Sequence, residues 1–297
     1  MGCGSRVAEG GKEMTYVELL QNSAQEVGNC ACMGLDPQLS VMPGKTTEPV
    51  RERINAFYQA LFRRMSLSGV IPAAFKPNIG YYAALDNPRD EDFSGSLALA
   101  DVMDLVENFF PGIPVILDAK RGDISRSSQN YAIEAFDGWS ADAVTVAPYM
   151  GTDSVTPFLS GREEKGVYVL NRTSNPGGKD LQDLSCGAGP LYLQVSRMIK
   201  KWGTGAVVGA TDMTELSDIV SFFVQSPVPL LVPGVGSQGG SATDVTDVLK
   251  KNGYPLELVR INSSSGLTQP WGKTSAPENW LDLCIGAIRK IIEETAL

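Results

Sequence analysis

Two lysines and three aspartates, each closing a short apolar run or lying just beyond one, are the residues on which this sequence could build chemistry. In Ile116-Leu-Asp118-Ala-Lys120-Arg-Gly-Asp123-Ile124 a carboxylate and an amine stand two residues apart, and a second carboxylate follows three residues on. Residues two apart on a strand share a face, so Asp118 and Lys120 are expected to point the same way, with Asp123 on the loop beyond. Lys76 in Phe75-Lys-Pro-Asn78 and Asp36 in Gly34-Leu-Asp-Pro-Gln38 end other apolar runs. A single charge at a strand end is ordinarily solvated, and a single Lys–Asp pair is ordinarily only an ion pair. Several opposite charges converging on one mouth are different: burying them is expensive unless they pair with one another, and a chain that gathers them stores potential for a reaction. Histidine is absent from all 297 residues. That removes any Ser-His-Asp or Cys-His relay, any imidazole base and any His-ligated metal, and leaves acid–base work to Lys, Asp, Glu, Tyr or Cys.

Other strand-end segments supply groups for binding. Asn171-Arg-Thr173-Ser174-Asn-Pro-Gly177 carries two hydroxyls, and Pro233-Gly-Val-Gly-Ser-Gln238-Gly239-Gly240 is a glycine-rich loop. Gly234 to Gly239 matches G-x-G-x-x-G, but it follows a seventh strand rather than the first strand of a βαβ unit, so a dinucleotide reading fails on context. Loops after the seventh and eighth strands of a barrel commonly hold phosphate through backbone N–H groups and a helix N-terminus. Gly239 and Gly240 lead into a helical pattern over 241–251, so a phosphate site is expected there, with positive potential from Lys76 and Lys120.

These groups need elements to hold them. Apolar runs at Ala31–Asp36, Ala73–Lys76, Val115–Lys120, Ala143–Ala147, Val167–Asn171, Ala206–Gly209, Leu230–Val232 and Leu258–Asn262 alternate with amphipathic stretches such as Val50–Met65, Ser96–Asn108, Leu191–Lys201, Ser241–Lys251 and Glu278–Glu294. Thr15 and Glu18 form a capping box that opens a further helix to about Val27. Eight strands, each followed by a helix or a loop leading to one, is the pattern of a single α/β domain, a (β/α)8 TIM barrel with an N-terminal helix, over 15–297. Catalytic groups in such a barrel come from the C-terminal ends of strands, where the motifs above lie. Residues 1–14 are glycine-rich and polar and read as a flexible tail. Its start, Met-Gly-Cys-Gly-Ser-Arg6, misses the myristoylation pattern because Arg6 stands where Ser or Thr is required.

Composition narrows the class. With 43% hydrophobic and 20% charged residues the chain is globular, and a net charge of −9 argues against nucleic acid as a partner. No apolar stretch is long enough to span a bilayer, so no membrane partner is expected. Cys3, Cys30, Cys32, Cys186 and Cys284 are odd in number and lack C-x-x-C spacing, which gives neither a disulfide framework nor a zinc site and fits a reducing cytoplasm.

The D-x-K-x-x-D run of Asp118, Lys120 and Asp123, with GLDPQ, FKPN, RTSNPG and GVGSQGG in this order, resembles the orotidine 5′-monophosphate decarboxylases, in the second sequence group of that family, over about residues 15–290. The resemblance implies loss of CO2 from C6 of orotidylate, giving uridylate, without cofactor or metal. Lys120 matches the lysine that stabilises the C6 carbanion and protonates it, and Asp118 the carboxylate set against the substrate carboxylate. Lys76 matches the lysine that holds this array, and Asp36 a ribose ligand. Asp123 and Ile124 match residues given across a homodimer interface, with Ser127 as a ribose contact. Ser174 and Thr173 match readers of the pyrimidine edge. Gln238 matches a bridge from that serine to the phosphate, and Pro233, Gly239, Gly240, Ser265 and Gly266 match the remaining substrate contacts. The sequence departs from the family at three places: Ser125 and Ser127 stand for its Gly and Thr; Tyr82-Ala83 stands for a Phe-Glu pair; and Asn262-Ser-Ser-Ser265-Gly266 lacks the arginine that grips phosphate. Binding is expected to be weakened there rather than lost, with Arg260 the nearest alternative cation in sequence. Competing readings are a Mg2+-dependent ketogulonate-phosphate decarboxylase, a Schiff-base aldolase and a non-catalytic nucleotide-binding barrel.

Overall fold

The apolar runs become eight parallel strands: β1 (Ala31–Gly34), β2 (Ala74–Lys76), β3 (Ile116–Arg121), β4 (Ala143–Val146), β5 (Gly166–Arg172), β6 (Gly205–Val208), β7 (Leu230–Pro233) and β8 (Val259–Ser263). The structure is a computed structural model that describes residues 14–187, 189–236 and 239–297. The tail expected over 1–14 lies, except for Met14, outside the described residues. Strand order is β2-β1-β8-β7-β6-β5-β4-β3, and the ends of this sheet meet. Phe75 N donates to Pro114 O at 3.0 Å and Asp118 N to Pro77 O at 2.9 Å, which closes a TIM barrel between β2 and β3.

Both faces of a closed parallel sheet are covered, so its strands read as unbroken apolar runs rather than alternating ones. Inward residues Cys32, Ala74, Ile116, Ala143, Tyr168, Val207 and Leu231 form the barrel interior. A larger core between the sheet and its helices contains Met33, Phe62, Phe75, Val144, Val169, Ile219 and Ile288. The helices Val50–Ser68, Ser94–Phe109, Leu191–Trp202, Ala242–Lys251 and Trp280–Glu294 fall where periodicity places them, to within three residues at either end. The second begins at Ser94, and Gly95 lets its first turn lie against the short helix Ile79–Ala83, where a Cβ would overlap Tyr82 O. Two further helices differ in how they are marked. Ser125–Ile133 buries only Ser128 and Ala132 and so has no apolar stripe, whereas Met213–Phe223 buries Leu216, Ile219, Val220 and Phe223 on one face and is opened by the Asp212 cap on Thr214 N and Glu215 N.

The N-terminal helix, Tyr16–Val27, stoppers the bottom of the barrel. Its buried positions, 16, 19, 20, 23 and 24, follow the spacing of one helical face. Thr15 and Glu18 cap it reciprocally, and Gly28 ends it in the left-handed conformation at φ 70°. Tyr16 Oη donates to Tyr168 Oη at 3.1 Å inside the barrel. Leu20, wholly buried, contributes about 2 kcal/mol by its removal from water. Beneath it lies Arg260, 0% exposed, whose guanidinium donates to Leu20 O (2.6 Å), Ser23 Oγ (2.7 Å), Val259 O (2.7 Å), Ala73 O (3.2 Å) and Glu257 O (3.2 Å). Arg260 therefore belongs to the closed end of the barrel and does not replace the missing arginine at the mouth.

Candidate active site

At the opposite end, β2 and β3 carry Lys76 and Asp118 to a common point. Lys76 Nζ donates to Asp118 Oδ2 at 3.0 Å, and both side chains are buried. Lys120 Nζ donates to Asp118 Oδ1 at 2.6 Å from a side chain that is 48% exposed and open to the cavity. Thr145 of β4 donates to the same oxygen at 2.9 Å. The convergence of Asp118 and Lys120 does not come from simple strand alternation. The β3–β4 register shifts between Leu117 and Arg121, and Lys120 adopts a left-handed backbone at φ 46°. That conformation costs a side-chain-bearing residue roughly 1–2 kcal/mol and persists only where its surroundings impose it. Here Lys120 N donates to Thr145 Oγ1 at 3.0 Å, and Ala147 N to Arg121 O at 2.7 Å, which together pin the bulge from β4.

The electrostatics follow from burial and charge. Burial by itself would raise the pKa of Asp118, but the ammonium groups of Lys76 and Lys120, and their hydrogen bonds, outweigh it and hold the carboxyl well below the usual range. For Lys76, burial pushes the other way from its neighbours. The carboxylates of Asp118 and Asp36 prevail, and the amine stays protonated above its ordinary value. One buried anion thus lies between two cations at the floor of a cavity of about 430 Å³.

Asp36, Lys76, Asp118, Lys120, Thr173, Ser174, Pro233 and Ser265 all line this cavity, so most of the residues singled out from sequence meet in one place. Asp36 Oδ1 accepts from Asn78 N at 3.1 Å, tying the β1 loop to the β2 loop. Gly34 permits Ser264 to approach β1, since a Cβ there would overlap the serine hydroxyl. Thr173 is held by Gln182, which accepts from its N–H at 2.9 Å and donates to its hydroxyl at 2.8 Å. The buried Arg172 anchors the same loop through Gln182 and Glu215, each at 3.0 Å. Leu170, Val207 and Leu231 give the cavity an apolar side.

Asp123, Ile124 and Ser127 do not line the cavity of their own chain. Asp123 Oδ1 accepts from Ile124 N at 2.7 Å, and the Ile124 side chain is 46% exposed. Ser125 follows at φ 48°, a left-handed position of the kind glycine occupies without strain. The expected phosphate donors need correction. Gly239 N donates to Gly236 O at 2.9 Å and Gly240 N to Gly234 O at 3.0 Å, so the turn itself uses both groups. Gln238 lies outside the described residues. Gly266 stands behind Ser265 in a four-residue helix, Ser265–Thr268, where a Cβ would come within 3.1 Å of Ser263 Oγ. Among the described lining residues the basic side chains are Lys76 and Lys120 alone, both engaged with Asp118.

Residues to which the sequence assigned no role also line the cavity, among them Asn78, Ser264 and Asn262, which lie inside quoted motifs, and Thr145, which lies in none. Asn262 Oδ1 is buried without a hydrogen-bond partner, an acceptor available to a ligand. Inward phase on β4 and β8 was the available signal for Thr145 and Asn262, but phase alone does not separate a site residue from interior packing.

Residues 71–254 match the Orotidine 5′-phosphate decarboxylase / HUMPS family. The chain is 37% identical over 263 residues to the orotidine 5′-phosphate decarboxylase of Variovorax paradoxus, covering 86% of this chain and 89% of the relative. It is 41% identical over 232 residues to that of Dechloromonas aromatica, covering 76% and 80%. Among solved structures it resembles the OMP decarboxylase of Leishmania donovani, with a TM-score of 0.73, 31% identity and coverage of 95% of this chain and 97% of the other. It also matches the UMP synthase of that organism at the same TM-score, but spans only 56% of that longer chain.

Proposed function

The chain belongs to the orotidine 5′-phosphate decarboxylase family, and we propose that Lys120, Asp118 and Lys76 carry its removal of CO2 from C6 of orotidine 5′-monophosphate to leave uridine 5′-monophosphate. It is a carboxy-lyase of pyrimidine biosynthesis. The observation that supports the residue roles is the buried Asp118 carboxylate fixed between two ammonium groups, one of them open to the cavity.

When the C6–carboxylate bond breaks, its electron pair stays on C6 as a vinyl carbanion that the ring cannot delocalise. The barrier must therefore be lowered by roughly 20 kcal/mol or more. A preorganised charge array is suited to this, because it needs no rearrangement at the moment of reaction. The substrate carboxylate lies against Asp118, whose charge disfavours it, and the neutral CO2 that leaves is better tolerated by Leu170, Val207 and Leu231. The Lys120 ammonium faces the developing charge and gives its proton to C6, and the neutral amine regains a proton from water. Lys76 keeps Asp118 ionised throughout. Asp36 takes a ribose hydroxyl, with Ser127 a further ribose contact. Ser174 and Thr173 take the pyrimidine edge. Ser265 lies toward the phosphate, with Pro233, Gly239, Gly240 and Gly266 framing that end. No step requires a cofactor or a metal.

The same reading makes the enzyme a homodimer with Asp123 and Ile124 reaching the partner's site. Supporting it are the absence of both from their own cavity lining and exposed apolar side chains nearby in sequence, Ile124, Tyr149 and Met150 on loops and Ile133 at the end of the helix Ser125–Ile133. A reducing cytoplasm suits the described cysteines, which are free thiols.

Complementation tests both parts. Lys120→Ala should lose at least about 10⁴-fold in kcat, read from the pyrimidine absorbance, while still binding uridylate. Asp123→Ala should be similarly impaired. Mixed chains should recover activity, since each heterodimer holds one site with both residues intact. A Lys120→Ala enzyme within tenfold of the parent would remove the proton-donor role. Demonstrated subunit exchange without recovery would remove the shared site.

A further inference from the structure

We propose that Thr145 is a positioning residue for the decarboxylation, holding Asp118 and the backbone of Lys120 through one hydroxyl. Thr145 is 1% exposed on β4, between Val144 and Val146, and lines the cavity beside Leu170 and Val207. A valine would fill the same volume without the cost of burying a hydroxyl, so the hydroxyl has to be accounted for by its partners. It has two. Lys120 N–H donates to it at 3.0 Å, which leaves its single proton to go to Asp118 Oδ1 at 2.9 Å. The direction of both bonds is thereby set.

Each bond answers a need that the charge array leaves open. The bulge between Leu117 and Arg121 breaks the β3–β4 ladder at Lys120, and Thr145 Oγ1 takes the N–H that the ladder no longer serves. This pins a left-handed backbone at the residue that must carry its amine to the reacting carbon. On the other side, Asp118 Oδ1 is shared between Lys120 Nζ and Thr145 Oγ1. When Lys120 surrenders its proton, Asp118 loses a charged donor on that oxygen. Thr145 is the donor that stays, and it keeps the carboxylate from turning during the step.

The proposal rests on the decarboxylase reading, and the test separates the two. An inactive parent would sink that reading; an active parent allows the variants to judge Thr145. Thr145→Val is expected to lower kcat about tenfold to a hundredfold, with KM and the uridylate Kd changed less than about threefold. Thr145→Ser, which keeps the hydroxyl, is expected to restore kcat to within about threefold of the parent. If valine is not accommodated, Thr145→Ala is read by the same criteria. A kcat within about twofold of the parent in the valine or alanine variant overturns the proposal. So does a loss that serine fails to restore, or one matched by an equal loss of uridylate affinity.

Discussion

Each end of the barrel buries a cation, and the two are satisfied in opposite ways. At the closed end the Arg260 guanidinium gives its hydrogen bonds to four backbone carbonyls and the Ser23 hydroxyl, under a lid of Tyr16 and Leu20. At the mouth Lys76 is paired with a carboxylate, and that carboxylate is shared with a second cation that faces open space. A cation enclosed by neutral acceptors and sealed from solvent contributes to packing and offers nothing to a ligand. A buried ion triplet with one member exposed keeps a field directed into the cavity, where little water screens it. The same physical cost, an ionised group out of water, therefore gives structure at one end and, in the proposed mechanism, reactivity at the other.

Exchanging each cation for an apolar residue tests this contrast most severely. Lys76→Met should reduce kcat by about 10²–10³-fold or more, because Asp118 loses its buried counter-charge, while the barrel still folds. Arg260→Met should do the reverse. It strands carbonyls in the interior at a cost on the order of 3 kcal/mol or more, lowering Tm by roughly 6 °C or more, while kcat of the folded protein stays near that of the parent. A loss of kcat in folded Arg260→Met protein would break the comparison.

The phosphate end sharpens it with a smaller effect. The lining cations are both committed to Asp118, so an added charge at Ser265 should count. Ser265→Arg is expected to tighten uridylate about tenfold to a hundredfold, with uridine almost unchanged, in isothermal titrations of both ligands. Equal gains for the two would show a general effect on loop order, and no gain would mean that another donor already serves the phosphate.

The smallest effect is in stability against pH. The folded pKa of Asp118 is depressed, so its contribution is complete above its unfolded value of about 3.9 and is lost as pH falls through the lower folded one. That of Lys76 is raised, so its contribution is complete below about 10.4 and is lost as pH rises through the higher folded one. In Lys76→Met the alkaline loss should flatten and the acid loss should begin at higher pH, since Asp118 no longer faces its strongest cation. Superimposable Tm–pH curves for variant and parent would show that the pair does not govern either limb.

The barrel and most of its chemistry were legible in the linear chain. Strands buried on both faces must be apolar throughout, so eight runs stood out, and charged residues closing them could hardly be core. The spacing of Asp118, Lys120 and Asp123, together with the lack of histidine, narrowed the catalytic groups before any contact was known. Only the tertiary structure decided which groups face which. Arg260 is the nearest alternative cation to the eighth loop in sequence, yet its inward phase in β8 sends it down to the N-terminal helix. The N–H groups of Gly239 and Gly240 looked free until the turn consumed them. Thr145 carried no motif at all, because a single polar residue in an apolar strand acquires meaning only from what stands across the barrel. Local sequence determines element type and face through short-range periodicity. Partners more than twenty residues away, such as Asp118 and Thr145, depend on register, bulges and closure, which the packing of the whole barrel sets.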